Sequence, residues 1–269
     1  MNNTCRSVFG FYLALLSLTL TAAAADESAN PDTEIWRKVR ADLFGERPIT
    51  QDRTDGRIAL EMPARAADAA VVPLAIRVRP SPNDAPTRKL YVVIDRNPSP
   101  LAGIFEFGEG SGSPELETRV RIEEYTWVRV VAERADGSLL VAQRFIKAAG
   151  GCSAPAGKSL AERLAGMGQM KWRIDPPADP LAPVWVQLMI RHPNNSGLAM
   201  DQVTHLYDPP YYVRNVRVTR GEELVFSADV DFSISENPAF RFTLQPGKSG
   251  ALHARVTDSN ERVFESSAP

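Results

Sequence analysis

Apolar and polar positions alternate along most of the chain beyond residue 57, with the two-residue period of half-buried strands. In "LAIRVR", Leu74, Ile76 and Val78 alternate with Ala75, Arg77 and Arg79. "KLYVVID" predicts a second strand closed by the turn "RNPSP", and "AGIFEFG" a third, followed by the loop "EGSGSPE". Alternation returns through Val120 and Ile122 in "TRVRIEE". "YTWVRVVAERADGSLLVAQRFIKAA" then predicts a hairpin turning at Asp136-Gly137. No helical pattern intervenes, so helical crossovers are excluded and the strands pair antiparallel, as in a sandwich.

The rhythm breaks over residues 149–182. "AGGCSAPAGK" is built of small residues, "SLAERLAGMGQ" supports at most a short helix, and "DPPADPLAP" is a proline-rich spacer. Strand patterning resumes with Val184, Val186, Leu188 and Ile190, and again with Leu224, Phe226, Ala228, Val230 and Phe232. "FRFTL" runs to the turn "QPGKSG", and "ALHARVTDSNERVFE" predicts a last hairpin around Asp258–Asn260. Near the start, "DTEIWRKVRADLFG" places Ile35, Trp36, Val39 and Leu43 on one helical stripe, capped by Asp32 or Thr33 and stopped by Gly45. The expected fold is all-β: a sandwich domain over 26–149 carrying a short N-terminal helix, a flexible linker over 150–182, and a second sandwich over 183–269.

Charge changes the picture mainly at the N-terminus. Arg6 is the sole charged residue before Asp26, and it precedes "VFGFYLALLSLTL" and the small-residue run "TAAAAD". This is the pattern of a cleavable signal peptide over residues 1–25, too short in its apolar run to span a bilayer. Cys5 lies ahead of that run, so it is not placed to carry a lipid anchor, and no membrane anchor is expected. The exported chain loses Arg6 from 31 basic residues, leaving 30 against 33 acidic ones and a net charge near −3. The basic residues are scattered, which gives no footprint for nucleic acid. At 43% apolar and 24% charged, the chain has the composition of a folded soluble protein.

Cleavage removes Cys5 and leaves Cys152 as the single cysteine, unable to form an internal disulfide. An unpaired thiol in an oxidising compartment oxidises and is easily replaced by serine, so its presence points to use. Two kinds of chemistry around it fail on spacing. Gly151 and Gly157 enclose five residues, one too many for a phosphate-binding loop ending in Gly-Lys-Ser. His192, His205 and His253 show no metal-ligand spacing beyond a weak Asp201/His205 pair, and none marks a protease nucleophile on the segment of Cys152. His192 reads as a turn cap and His253 as a solvated strand residue. No catalytic residue, metal or cofactor is therefore expected. The remaining reading is a tether: Cys152 attaches a cargo covalently, and Gly150 and Gly151 give the arm freedom of motion. Ten residues at about 3.3 Å each extend roughly 30 Å, and an arm anchored at both ends reaches about half that. Lys147 and Lys158 would modestly favour the reactive thiolate.

"RNPSPLAGIFEF", "TRVRIEEYTWVRVVAERADGSLLVAQRFIKAAGGC" and its closing Gly150-Gly151-Cys152 resemble the SoxY subunit of the SoxYZ sulfur carrier of bacterial thiosulfate oxidation, over residues 85–152. "IRHPNNSGL", "YYVRNVRVTRGEELVFSADVDFSISENPAFRFTLQPGKSG" and "VTDSNERVF" resemble the SoxZ subunit, over residues 184–269. The fused order is similar to carriers found alongside quinoprotein (PQQ) dehydrogenases. The resemblance implies two immunoglobulin-like sandwiches, a periplasmic location, Cys152 as attachment site for sulfur intermediates, and partner enzymes that do the catalysis. The alternative reading is a binding or assembly module that docks a periplasmic quinoprotein dehydrogenase, with an incidental thiol. One departure stands out: the family's Gly-Gly-Cys arm is a free C-terminal tail, whereas here it continues through "SAPAGKSL" into the second half. Such a loop presents two chain limbs to a partner, so a deep narrow channel is harder for it to enter.

Overall fold

The computed structural model describes residues 30–52, 56–155, 160–175, 177, 179–201, 205–247 and 250–268. The signal-peptide reading, with Cys5 and Arg6, and the positions of Gly157 and Lys158 lie outside the described residues. Helix α1 (Glu34–Phe44) is followed by β1 (Ile49–Gln51), β2 (Ile58–Glu61), β3 (Val72–Val78), β4 (Thr87–Ile94), β5 (Leu101–Phe107), β6 (Ser111–Val120), β7 (Thr126–Arg134) and β8 (Leu139–Ile146). After α2 (Leu160–Leu164) come β9 (Met170–Asp175), β10 (Val184–Ile190), β11 (Val213–Arg220), β12 (Glu223–Val230), β13 (Ala239–Leu244), β14 (Leu252–Asp258) and β15 (Val263–Ser267).

Local chemistry accounts for these elements. The alternation in β3 is realised, with Val72, Leu74, Ile76 and Val78 all buried. Thr33 caps α1 by accepting the Trp36 N–H at 3.0 Å, and Gly45 takes a positive φ of 57° where the helix stops. Trp36 and Phe44 of α1 then pack on Val93, Val131, Leu139 and Val141, covering the outer face of β4, β7 and β8.

Among the described residues the strands form two sheets, in the orders β1-β8-β7-β4-β5-β12-β11-β14-β15 and β2-β3-β6-β13-β10-β9. All neighbours are antiparallel except β1 with β8. The all-β class with two sandwiches and a short N-terminal helix is what the sequence pattern predicts, but the junction differs from the expected flexible linker. Both sheets run unbroken from one half into the other. Phe105 of β5 pairs with Ala228 of β12, and Leu116 of β6 with Phe242 of β13. Within the segment read as a flexible linker, β9 pairs with β10 from Met170↔Ile190 to Asp175↔Trp185. The reason is burial: the strands at the junction are apolar on their inner face and complete one another. Phe226 lies 6.3 Å from Phe105, 5.8 Å from Phe107 and 4.5 Å from Phe242, ring centre to ring centre, in a core that spans both halves. Each such ring contributes roughly 1.5–3 kcal/mol by leaving water.

Candidate functional site

The chain leaves β8 and crosses the end of the first sandwich before reaching Cys152. Lys147 N–H donates to the Ala64 carbonyl at 2.9 Å, Gly150 N–H to the Glu123 carbonyl at 2.8 Å, and Gly151 N–H to the Ile122 carbonyl at 2.9 Å. Gly150 holds a φ of 79°, a region that side chains disfavour. At Gly151 a Cβ would lie 2.1 Å from the Ala69 carbonyl oxygen and 2.7 Å from that of Ile122. Here the two glycines therefore turn the chain and let it lie against other backbone. Their expected part as a loose hinge is not what this state displays.

Cys152 is only 2% exposed, which corrects the expectation of a solvent-facing thiol. Its backbone is held from both halves of the molecule. The Glu123 carboxylate accepts the Cys152 N–H at 2.8 Å and the Ser153 N–H at 3.1 Å on one oxygen, and the Ser153 hydroxyl at 2.7 Å on the other. From the second half, the Ser196 hydroxyl donates to the Cys152 carbonyl. Glu123 is itself positioned by Asn97, whose side chain accepts the Glu123 N–H at 3.0 Å and donates to the Arg121 carbonyl at 2.8 Å.

Ser196 belongs to a buried bracket formed by "HPNNSG". The Asn194 N–H donates to His192 Nδ1 at 3.1 Å, and the Asn194 amide donates to the Ile234 carbonyl at 2.7 Å. Asn195 and Tyr211 exchange backbone hydrogen bonds at 2.7 and 3.0 Å. Arg163 of α2 reaches the side chains of Asn195 and Asp208 and so ties the chain beyond the arm to this bracket. His192 does take part in capping, and it is fully buried with its imidazole pushed down to about 4 by burial. His253 is exposed, as its strand position predicts, and the His205 N–H donates to the Asp201 carbonyl at 2.9 Å.

The electrostatics of the stowed thiol oppose ionisation. Burial first, then the Glu123 and Asp231 carboxylates, push Cys152 up to about 12, with Arg121 partly offsetting them. Of the two lysines expected to help, Lys147 is exposed and Lys158 lies outside the described residues; among the described residues Arg121 is the cation that acts on the sulfur. Arg121 is held by the carbonyls of Phe232 at 2.8 Å and Ile234 at 2.6 Å. Asp231 is raised to about 6 by its own burial. A thiol that stays protonated is a poor nucleophile, so in this position the Cys152 thiol is held unreactive. Among the described residues no group of three His, Cys, Asp or Glu could hold a metal.

Two family models match the chain in series. Residues 40–152 match the sulfur oxidation protein SoxY, and residues 177–269 match the sulphur oxidation protein SoxZ. The chain joins the SoxY and SoxZ families in one polypeptide. It is a fused SoxYZ-type sulfur-oxidation carrier protein. The SoxY match ends on Cys152 itself, and the SoxZ match contains the bracket that closes over it. A comparison with curated proteins gives no match. Among the described residues no helix is long and apolar enough to cross a membrane.

Sequence reasoning located Cys152 and its glycines but missed Glu123, Arg121, Asn97 and Ser196. Two signals were present. Glu123 is the polar position that follows Val120 and Ile122 in the alternation just past β6, and "HPNNSG" lies inside the stretch that resembles SoxZ.

Proposed function

We propose that this SoxYZ-type protein is a periplasmic carrier that holds sulfur intermediates covalently on Cys152 and presents them to sulfur-oxidising partner enzymes. The single observation that carries this reading is the tandem match, whose first member ends at the one cysteine of the exported chain. Joining the Cys152 thiolate to a thiosulfate-type anion forms an S–S bond and releases two electrons, which an oxidising partner takes up. Onward oxidation of the outer sulfur takes its oxygen from water and passes its electrons to the oxidising partner, and hydrolysis of the resulting S-sulfonate releases sulfate and restores the thiol. The stowed state keeps the free thiol protonated and enclosed, so loading requires residues 150–153 to leave their niche.

The test is intact-mass measurement on protein purified from its native periplasm. Adducts of sulfur or sulfur oxyanions that disappear on reduction, and are missing from Cys152→Ser, are the expected result. Unmodified protein, together with full cellular activity of Cys152→Ser, would overturn the reading. Co-purified proteins from the same material tell sulfur-oxidising enzymes from a quinoprotein dehydrogenase as the partner.

A further inference from the structure

We propose that the Glu123 carboxylate is a latch: it holds the Cys152–Ser153 backbone in the niche, and its release sets how often the sulfur can be reached. The proposal rests on the carrier reading only in making that access useful. Three donors converge on this one side chain, at 2.8, 3.1 and 2.7 Å, and all three belong to the arm. No donor from Glu123's own surroundings shares the load among the described residues. The bonds that position Glu123 through Asn97 do not involve the arm, so the latch stays assembled when the arm departs.

Glu123 is half-buried. Water can therefore replace the arm's donors on the carboxylate as they leave, which makes release feasible where a fully buried carboxylate would forbid it. The Ser196 hydroxyl holds the Cys152 carbonyl from the opposite side and is the weaker, neutral half of the same clasp. The carboxylate also opposes ionisation of the neighbouring thiol, so holding and silencing come from one group. An arm that departs leaves both influences together.

The experiment is labelling of Cys152 by N-ethylmaleimide at neutral pH on the full exported chain, followed by intact mass. When closing is faster than labelling, the rate follows the fraction of open arm. Removing three hydrogen bonds to a charged acceptor is expected to raise that rate roughly 10- to 100-fold in Glu123→Ala. Glu123→Gln should accelerate it less. Glu124→Ala, which removes a neighbouring exposed partner of Arg96, should leave it unchanged. Labelling of Glu123→Ala at the wild-type rate overturns the proposal, as does equal acceleration in Glu124→Ala. Should Glu123→Ala not fold, Ser153→Ala labelling and amide hydrogen exchange at Ser153 in Glu123→Gln decide it by the same criterion. A carrier without native adducts but with accelerated labelling in Glu123→Ala would sink the carrier reading and leave the latch standing.

Discussion

Arg129 and Asp95 meet in full burial, with Nε to Oδ1 at 2.8 Å and Nη2 to Oδ2 at 2.6 Å. The same guanidinium donates to the Pro31 carbonyl at 2.6 Å and sits 4.7 Å from the Trp36 ring. The same carboxylate accepts the Thr33 hydroxyl at 2.7 Å. One ion pair thus fastens the entry to α1 onto the first sandwich. Asp95→Asn strands a buried cation and is expected to cost about 3–5 kcal/mol in urea denaturation. Arg214→Ala, which breaks an exposed pair with Glu261, should cost under about 1 kcal/mol. Equal effects in the two variants would remove the special status of the buried pair.

Asp231 and His192 give acid stability two opposing slopes. Folded Asp231 takes its proton near 6 instead of 3.8, so between those values the folded state binds more protons than the unfolded chain. Stability from this group therefore rises as pH falls through that window, and the ionised form costs most above it. His192 is pushed down from 6.5 to about 4, so there the unfolded chain binds more protons and stability falls as pH falls. Asp231→Asn should be more stable than the wild type by about 3 kcal/mol at neutral pH, and most of the difference should be gone by about pH 4. Urea titrations at the two pH values check it, and a variant less stable than wild type at neutral pH would contradict it.

Gly151→Ala places a methyl group against two carbonyl oxygens that belong to other backbone. We expect the arm to be driven from its niche, giving faster thiol labelling with little change in the thermal midpoint of the sandwiches. Gly150→Ala instead strains a backbone at φ 79°, which costs about 1–2 kcal/mol of closed arm. Labelling slower than wild type in either variant would be incompatible with the packing described.

The aromatic seam predicts cooperative unfolding. Phe226→Ala should cost about 3–5 kcal/mol, since the ring is fully buried between strands of both halves. Because the core is continuous, calorimetry should show one transition in the wild type and one, at lower temperature, in the variant. Two separated transitions in the wild type would mean that the halves melt independently.

Much of this fold is written in short-range pattern. Leu74, Ile76 and Val78 alternate in the sequence and are buried in the structure, and Thr33 caps the helix it precedes. The junction is not legible in that way, because β5 and β12 lie far apart in sequence and period-two patterns do not name their partners. The sequence singles out Cys152, but its surroundings were misread. Small residues permit motion, and they equally permit the closest packing, as Gly151 does against Ala69 and Ile122. Which of the two applies depends on Glu123 and Ser196, which lie 29 and 44 positions away from Cys152. Local spacing does not name either as a partner of Cys152.

The strands that cross from β5 to β12 and from β6 to β13 also bear on how the molecule behaves when scarce. Paired subunits drift apart on dilution, and the cap over a shared thiol departs with them. Here the cap is encoded in the same polypeptide as the sulfur it covers, so protection of Cys152 is a first-order property, independent of how many copies the cell makes.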